Sequence, residues 1–358
     1  MECNLLILTV DSNMPISGDV WTHFPYELIH AFKKLGINAS MTGLEDAAYL
    51  RSYGISYSLL KANLLRLSRT VFYIRKLRKL NSFLYIKGIN RIVKKFKPDF
   101  VLAMAMYPFK EVFREIKKYS KLIFWAIDDP RFFNDEYFET VSIADFVLTQ
   151  SFGSIRDYKE KGITHIEFLP LGFDQRFFYP MEINKDIDIL FVGTLKWRKI
   201  GFKNILIPAI KKFKKRITLV INDYNEFKEH NKFREVTILP PVPWFKLNEL
   251  FNRSKIVINI HVDVNKKRAG TFNYRDFETP GSGAFVISDY VEKMDLCFKP
   301  NVEIVMVNSP EETIENLNYY LDNEEERKKI ANNGYLRAIK EHTTIQRAKF
   351  LKDLLKKF

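Results

Sequence analysis

The stretch from Asn273 to Asp289 holds more chemically useful side chains than any other part of the chain. Helical spacing runs to Glu278, a Gly-x-Gly turn follows at Gly281 and Gly283, and an apolar strand comes next. The two glycines permit tight backbone geometry and close approach to a ligand. A helix N-terminus around Asn273 would present unpaired N–H groups to a phosphate, and Arg275 would add a two-pronged guanidinium. Glu278 is suited to accept two hydrogen bonds from the vicinal hydroxyls of a ribose. Phosphate donors beside a hydroxyl acceptor are the requirements of a sugar nucleotide.

Other candidates stand just after short apolar runs. Gly193 ends one such run and is followed by Thr194, Lys196, Arg198 and Lys199, a loop able to approach a diphosphate and offset its charge. Asn259 and His261 close another; the histidine reads equally as a satisfied loop residue or as a reactive group. Lys266, Lys267 and Arg268 would border phosphates or a second substrate. Asp128 and Asp129 follow a third run, where a carboxylate could deprotonate a hydroxyl or stabilise developing positive charge. Pro130 supports the other reading, in which one of them caps the next segment. Asp19 and His23 come shortly after the first run.

These residues need elements to hold them. Runs at 5–10, 100–104, 122–127, 146–149 and 166–169 read as buried strands, and 21–35 reads as a helix stopped by Gly36. The pattern restarts after Pro180, with strands expected at 187–192, 217–222, 236–239, 255–260 and 284–288 and a helix at 205–213. Strands alternating with helices mean a doubly wound α/β sheet, here twice. We therefore expect two tandem Rossmann-like domains facing across a cleft, 1–178 and 179–344, with a linker near 175–186 and a last helix, 345–358, packing back towards the first domain. Ligands in such sheets sit beyond the carboxyl ends of the strands, where the candidates lie.

A chain of 358 residues suits two domains, and 46% hydrophobic with 28% charged residues is a globular balance. Cys3 and Cys297 are too few for a disulfide framework or a zinc cluster, which suggests a reducing compartment. The opening residues lack the features of a signal peptide, and no apolar stretch reaches membrane-helix length, so a cytoplasmic protein is expected. The net charge is +14, and every charged residue between Asp46 and Asp99 is Lys or Arg. That basic block, 51–97, reads as a solvated helical face, as a surface for anionic lipid headgroups, or as a site for an acidic or nucleic-acid partner.

The segment 273–289 resembles the donor-site signature of GT-B glycosyltransferases, and more narrowly that of the CgeB-like group-1 glycosyltransferases. There Arg-x-Phe-Glu precedes a glycine turn and an apolar strand ending in an acidic residue; this chain has Arg275, Phe277, Glu278, Gly283 and Asp289. Further along, Glu303, Tyr319, Glu325 to Ala331, Gly334, Arg337 and His342-Thr343 fall in the family's order. Upstream, Asp188 to Gly193 with Arg198 resembles the strand opening the donor domain, and Leu169 to Asp174 with Phe178 to Pro180 resembles the inter-domain link.

The resemblance implies the GT-B fold and transfer of a sugar from a UDP- or GDP-sugar bound by the second domain, with Arg198 on the diphosphate. The acceptor, held by the first domain, would be a cell-envelope glycan, a lipid-linked precursor or a protein. It also makes His23 a candidate base beside Asp128 and Asp129, since inverting members carry one just past the first strand. No cofactor or metal is required on this reading, and work at an anionic membrane surface fits the basic block. Two departures stand out: retaining members often carry a second glutamate eight residues before the one matching Glu278, where this chain has Gly270, and the turn reads Pro280-Gly-Ser-Gly. Retention or inversion therefore stays open. Alternatives are a nucleic-acid glycosyltransferase or binder, which the scarcity of interleaved aromatics in the basic block disfavours, and a non-catalytic nucleotide-sugar binding module.

Overall fold

A computed structural model describes residues 3–9, 20–44, 75–104, 108–222 and 235–358. The first half runs β1 (Asn4–Thr9), α1 (Val20–Lys34), β2 (Asn38–Gly43), α2 (Arg75–Phe96), β3 (Phe100–Met104), α3 (Lys110–Ile116), β4 (Lys121–Ala126), α4 (Asp135–Val141), β5 (Phe146–Thr149), α5 (Ser154–Glu160) and β6 (Ile166–Phe168). The second runs β7 (Ile187–Gly193), α6 (Ile207–Phe213), β8 (Ile217–Ile221), β9 (Thr237–Leu239), α7 (Leu247–Arg253), β10 (Ser254–Asn259), α8 (Arg275–Gly281), β11 (Val286–Asp289), β12 (Val305–Val307), α9 (Pro310–Asp322), α10 (Glu324–Glu341) and α11 (Thr344–Leu355). A helical lead, Lys199–Gly201, and a π-helical turn, Phe202–Leu206, precede α6.

Each half is one parallel six-stranded sheet, ordered β2-β1-β3-β4-β5-β6 and β12-β11-β10-β7-β8-β9. Parallel strands covered on both faces are apolar throughout, and all five residues of β3 are buried. In register, Leu5 pairs with Phe100, Phe100 with Lys121 and Ile123 with Phe146; in the second sheet Ile189 pairs with Ile217, Ile256 with Ile189 and Val257 with Val286. The expected double α/β architecture is what forms. β2 and β12, which sequence reading did not assign as strands, are both edge strands: one is largely polar and the other three residues long.

One apolar cluster faces a single side of the first sheet and another a single side of the second. A third is continuous across both, running from Phe24 and Trp125 through Phe173 and Phe178 of the connecting segment to Phe251, Phe277 and Leu351. The chain also crosses back. α11 packs on α1, with Lys352 Nζ donating to Leu35 O at 2.7 Å, and Phe358 sits between Phe100 and Phe146. The domains thus meet along a seam sealed by shared hydrophobic burial. Among the described residues, no helix is long and apolar enough to cross a membrane. Asp19 and residues 51–74 of the basic block lie outside the described residues.

Candidate functional site

In the second sheet the strand order reverses between β7 and β10, which are neighbours although the chain leaves them in opposite directions. Such a switch point opens a crevice beyond the carboxyl ends of the two strands. Arg198 lies across it: Nε donates to Ile260 O after β10 at 2.7 Å, and Nη1 donates to Thr194 O after β7 at 2.8 Å. A cavity of about 170 Å³ is lined here by Gly193, Thr194, Arg198, Val220, Asn222, Val242, Trp244, Asn273, Tyr274 and Arg275, among others. Asn222 Nδ2 donates to Thr194 Oγ1 at 2.9 Å, tying the end of β8 to the loop after β7. Of the expected donor-site residues, Gly193, Thr194, Arg198, Asn273 and Arg275 come together at this cavity. Lys199 does not line it; its backbone N–H caps Asp263 Oδ2 at 2.9 Å and its side chain is exposed.

Three local expectations need correcting. At the start of α8 the N–H groups of Asn273 and Arg275 are not left for a phosphate, because Asn273 N–H donates to Asp276 Oδ2 and Arg275 N–H to Asn273 Oδ1, both at 2.8 Å. Gly281 and Gly283 face the connecting segment, not a ligand: a Cβ on Gly281 would lie 2.4 Å from the Phe173 ring, and one on Gly283 would meet Pro180 at 3.0 Å. Lys266 and Arg268 are already engaged, Lys266 with Asp289 Oδ2 at 2.9 Å and Arg268 with both oxygens of Asp157 at 2.7 and 2.8 Å.

Glu278 sits behind Arg275, 1% exposed, at the seam between the domains. Its Oε2 accepts from Arg275 Nη1, and its Oε1 lies 3.4 Å from His23 Nε2 of α1. The His23 ring stacks on Trp244 with centroids 4.8 Å apart and packs at the same distance on Tyr274. Burial works to raise the Glu278 carboxyl, but the Arg275 charge and the His23 contact hold it below the usual glutamate range. Close by, Glu27 on α1 is pushed well above that range by burial, with Asp174 and Glu278 adding to the effect.

The two aspartates after β4 part company. Asp129 is 2% exposed and its oxygens accept from Thr149 Oγ1 at 2.6 Å, Tyr158 at 2.9 Å and Tyr137 at 3.0 Å. That carboxylate anchors β5, α4 and α5 inside the first domain, so as a catalytic group it is corrected to a structural one. Asp128 is half-buried; the Tyr274 phenol of the second domain is raised by its own burial, with the Asp128 charge adding to the effect. Burial pushes Asp128 up to about 8 against the pull of Arg131, whose guanidinium lies 5.3 Å over the Trp197 ring of the second domain.

Among the described residues, buried polar atoms without a hydrogen-bond partner gather at this seam: His23 Nδ1, Glu27 Oε1, Trp244 Nε1, Tyr274 OH, Arg275 Nε, Thr279 Oγ1 and Glu278 Oε1, the last with only its ion-pair contact to His23. Such orphans are costly and mark places where water or a ligand completes the structure.

Gly270, where a second glutamate is often found, belongs to a bridge between the domains. Phe152 N–H donates to Gly270 O at 3.0 Å, Gly153 N–H to Ala269 O at 2.8 Å, and Ser151 Oγ meets Thr271 Oγ1 at 2.5 Å. Gly270 has φ +60°, and an added Cβ would lie 2.9 Å from Phe152 Cβ. A side chain there would be strained by φ and would crowd Phe152.

Trp244, Tyr274 and Asn222 were not singled out from sequence. Asn222 directly follows β8, and Trp244 ends the Pro-Val-Pro-Trp run after β9, so position beyond a strand end was the available signal.

Comparison with known proteins follows the same lines. No curated protein matches the chain in sequence. Among solved structures, a sucrose-phosphate synthase from Thermosynechococcus elongatus superposes with TM-score 0.70 at 13% identity over 100% of both chains. Anabaena HepE, determined in complex with UDP and glucose, does so with TM-score 0.64 at 12% identity over 100% of both chains. The lipopolysaccharide outer core galactosyltransferase WaaB gives 0.61 at 16% identity, again over 100% of both. The chain therefore has the two-domain GT-B fold of glycosyltransferases, and residues 177–353 of it match the family described as glycosyl transferase-like.

Proposed function

We propose that the protein is a hexosyltransferase-like glycosyltransferase of the CgeB-like kind. It would move a sugar from a UDP- or GDP-sugar to an acceptor hydroxyl on a cell-envelope glycan, a lipid-linked precursor or a protein. The observation that carries this is the switch-point cavity, lined by Arg198 and Arg275 and sharing Trp244, Tyr274 and Arg275 with the orphaned polar atoms at the seam. The diphosphate would lie against Arg198 and Arg275, which offset the charge that develops as the nucleotide departs; no metal is required for that. The sugar would enter between His23, Trp244, Tyr274 and Glu278, where its hydroxyls satisfy atoms that lack partners. The cavity's volume of about 170 Å³ is below the roughly 300–1,000 Å³ of small-molecule clefts, so binding would widen the seam.

In the transfer, the acceptor oxygen bonds to the anomeric carbon, the bond from that carbon to the phosphate oxygen breaks, and the acceptor proton goes to a base on the first domain. His23 suits this role because Glu278 faces Nε2 and Nδ1 has no partner among the described residues. Asp128 is the alternative base. The structures of HepE with UDP and with UDP-glucose support a uridine nucleotide, and WaaB supports an envelope glycan. A cytoplasmic protein resting on an anionic membrane through the basic block 51–97 fits a lipid-linked acceptor. Calorimetry with UDP, GDP and their sugars, followed by nucleotide release with each acceptor class, tests the reading. Absence of nucleotide binding would sink it, and binding without release would leave a binding module.

A further inference from the structure

The first turn of α8 is tied to the ends of β10 and β11 by a buried chain of charged groups. His261 is fully buried; its Nε2 meets Asp276 Oδ2 at 2.8 Å and its Nδ1 meets Asp289 Oδ1 at 2.6 Å. Asp289 also accepts the His261 backbone N–H at 3.0 Å, and its second oxygen takes Lys266 Nζ at 2.9 Å. Asp276 also accepts from Asn259 Nδ2 at 2.7 Å and from the Asn273 backbone N–H at 2.8 Å.

A carboxylate only accepts hydrogen bonds. Both ring nitrogens must therefore donate, and the ring is an imidazolium. Burial alone would push it down; Asp276 and Asp289 outweigh that and raise it to about 10. With both nitrogens engaged, His261 has none left to take a proton from a substrate. What it connects is the front of the nucleotide cavity: Asp276 adjoins Arg275 and fixes Asn273, and both of those line it.

We propose that His261 is a positioning residue for the nucleotide, an imidazolium clamped between Asp276 and Asp289 that fixes the first turn of α8 and aims Asn273 and Arg275 into the cavity. The inference rests on the donor-site reading above. The groups facing the ring are Asp276 from α8 and Asp289 from β11, with Lys266 and Asn259 each one contact further out. Removing one carboxylate leaves the ring a single counter-charge, so it gives up its proton at a lower pH.

The test uses the full chain with Asp289→Asn and His261→Gln. UDP and GDP affinity is measured by calorimetry at pH 7, 8 and 9 against the native protein at the same pH. Hydrogen–deuterium exchange of 273–281 is read alongside that of β7 and β8. Asp289→Asn should lose about tenfold more affinity at pH 9 than at pH 7, one unit's worth of titration. In both variants exchange should quicken in 273–281 beyond any change in β7 and β8. A loss in Asp289→Asn that is the same at every pH, with exchange raised evenly across the domain, would overturn the proposal. If the native chain binds neither nucleotide, the donor reading fails, while the exchange pattern still decides the clamp. If His261→Gln does not fold, Asp289→Asn, which keeps the ring, decides alone.

Discussion

His23 of the first domain and Glu278 of the second meet at 3.4 Å, Nε2 to Oε1, both buried in the seam. The second oxygen of Glu278 is held by Arg275, so one buried carboxylate joins the cavity-lining arginine to the histidine opposite. Glu278→Ala leaves the Arg275 charge without its partner, and removing one member of a buried pair costs about 3–5 kcal/mol. The folded-state carboxyl titrates below its ordinary value, so its stabilisation is complete above about pH 4.5 and is lost as pH falls through the lowered value. Urea unfolding should show a gap between native and variant that is constant from pH 7 to about pH 5 and narrows only below about pH 4.5. A gap that does not change with pH would remove the charge pair from the account.

Asp128 has the opposite sign. Its carboxyl is raised to about 8, so between its ordinary value and there the folded chain keeps a proton that the unfolded chain releases. Stability therefore falls as pH rises from about 4 and levels off beyond about 8. Asp128→Asn should become steadily more stable relative to the native protein over that interval. Asp129, raised to about 7, titrates in the same range, and the neighbouring pair will report as joined macroscopic steps. If Asp128 is the base, kcat/KM climbs towards pH 8 and the Asn variant lacks that limb; survival of the limb in Asp128→Asn removes Asp128 from that role.

What the sequence made legible follows from what each element depends on. Strands such as Phe100–Met104, buried on both faces, are apolar throughout and stood out at once, whereas the edge strands Asn38–Gly43 and Val305–Val307 bury too little for a pattern to show. Gly193 and Arg198 lie at the cavity because strand-end position puts them there, and Asn273 and Arg275 because they stand at the start of α8 beside it. Gly281 and Gly283 misled because a glycine signals close approach without saying by what, and here Phe173 and Pro180 approach. Pairings between residues far apart in sequence, His23 with Glu278 or Ser151 with Thr271, were not legible because no local pattern encodes them.

Gly270 offers a test of the bridge between the domains. Its φ of +60° disfavours any L side chain by about 1–2 kcal/mol, and the contact with Phe152 adds to that. Gly270→Ala should lower the urea midpoint, and Gly270→Glu should lower it further without raising transfer activity. Adding Phe152→Gly, which removes the Cβ that clashes, should, relative to Phe152→Gly alone, recover the part due to the clash and leave the part due to φ. Full recovery in the double variant would show that backbone conformation contributes nothing there.

Arg198 is where fold and proposed chemistry can be separated. Its guanidinium links Ile260 O to Thr194 O across the switch point, yet it is half-buried and its cost to stability should be small. A charged hydrogen bond to a phosphate is worth about 1.5–3 kcal/mol, roughly 10- to 150-fold in affinity. Arg198→Ala should therefore weaken UDP or GDP by that factor, while uridine or guanosine, which lack the diphosphate, should bind the variant and the native protein alike. Arg198→Lys keeps the charge but cannot span both carbonyls, and it should recover only part of the loss. If Arg198→Ala weakens nucleoside and diphosphate equally, the arginine shapes the cavity and does not touch the phosphates, and the diphosphate would then lie nearer Arg275.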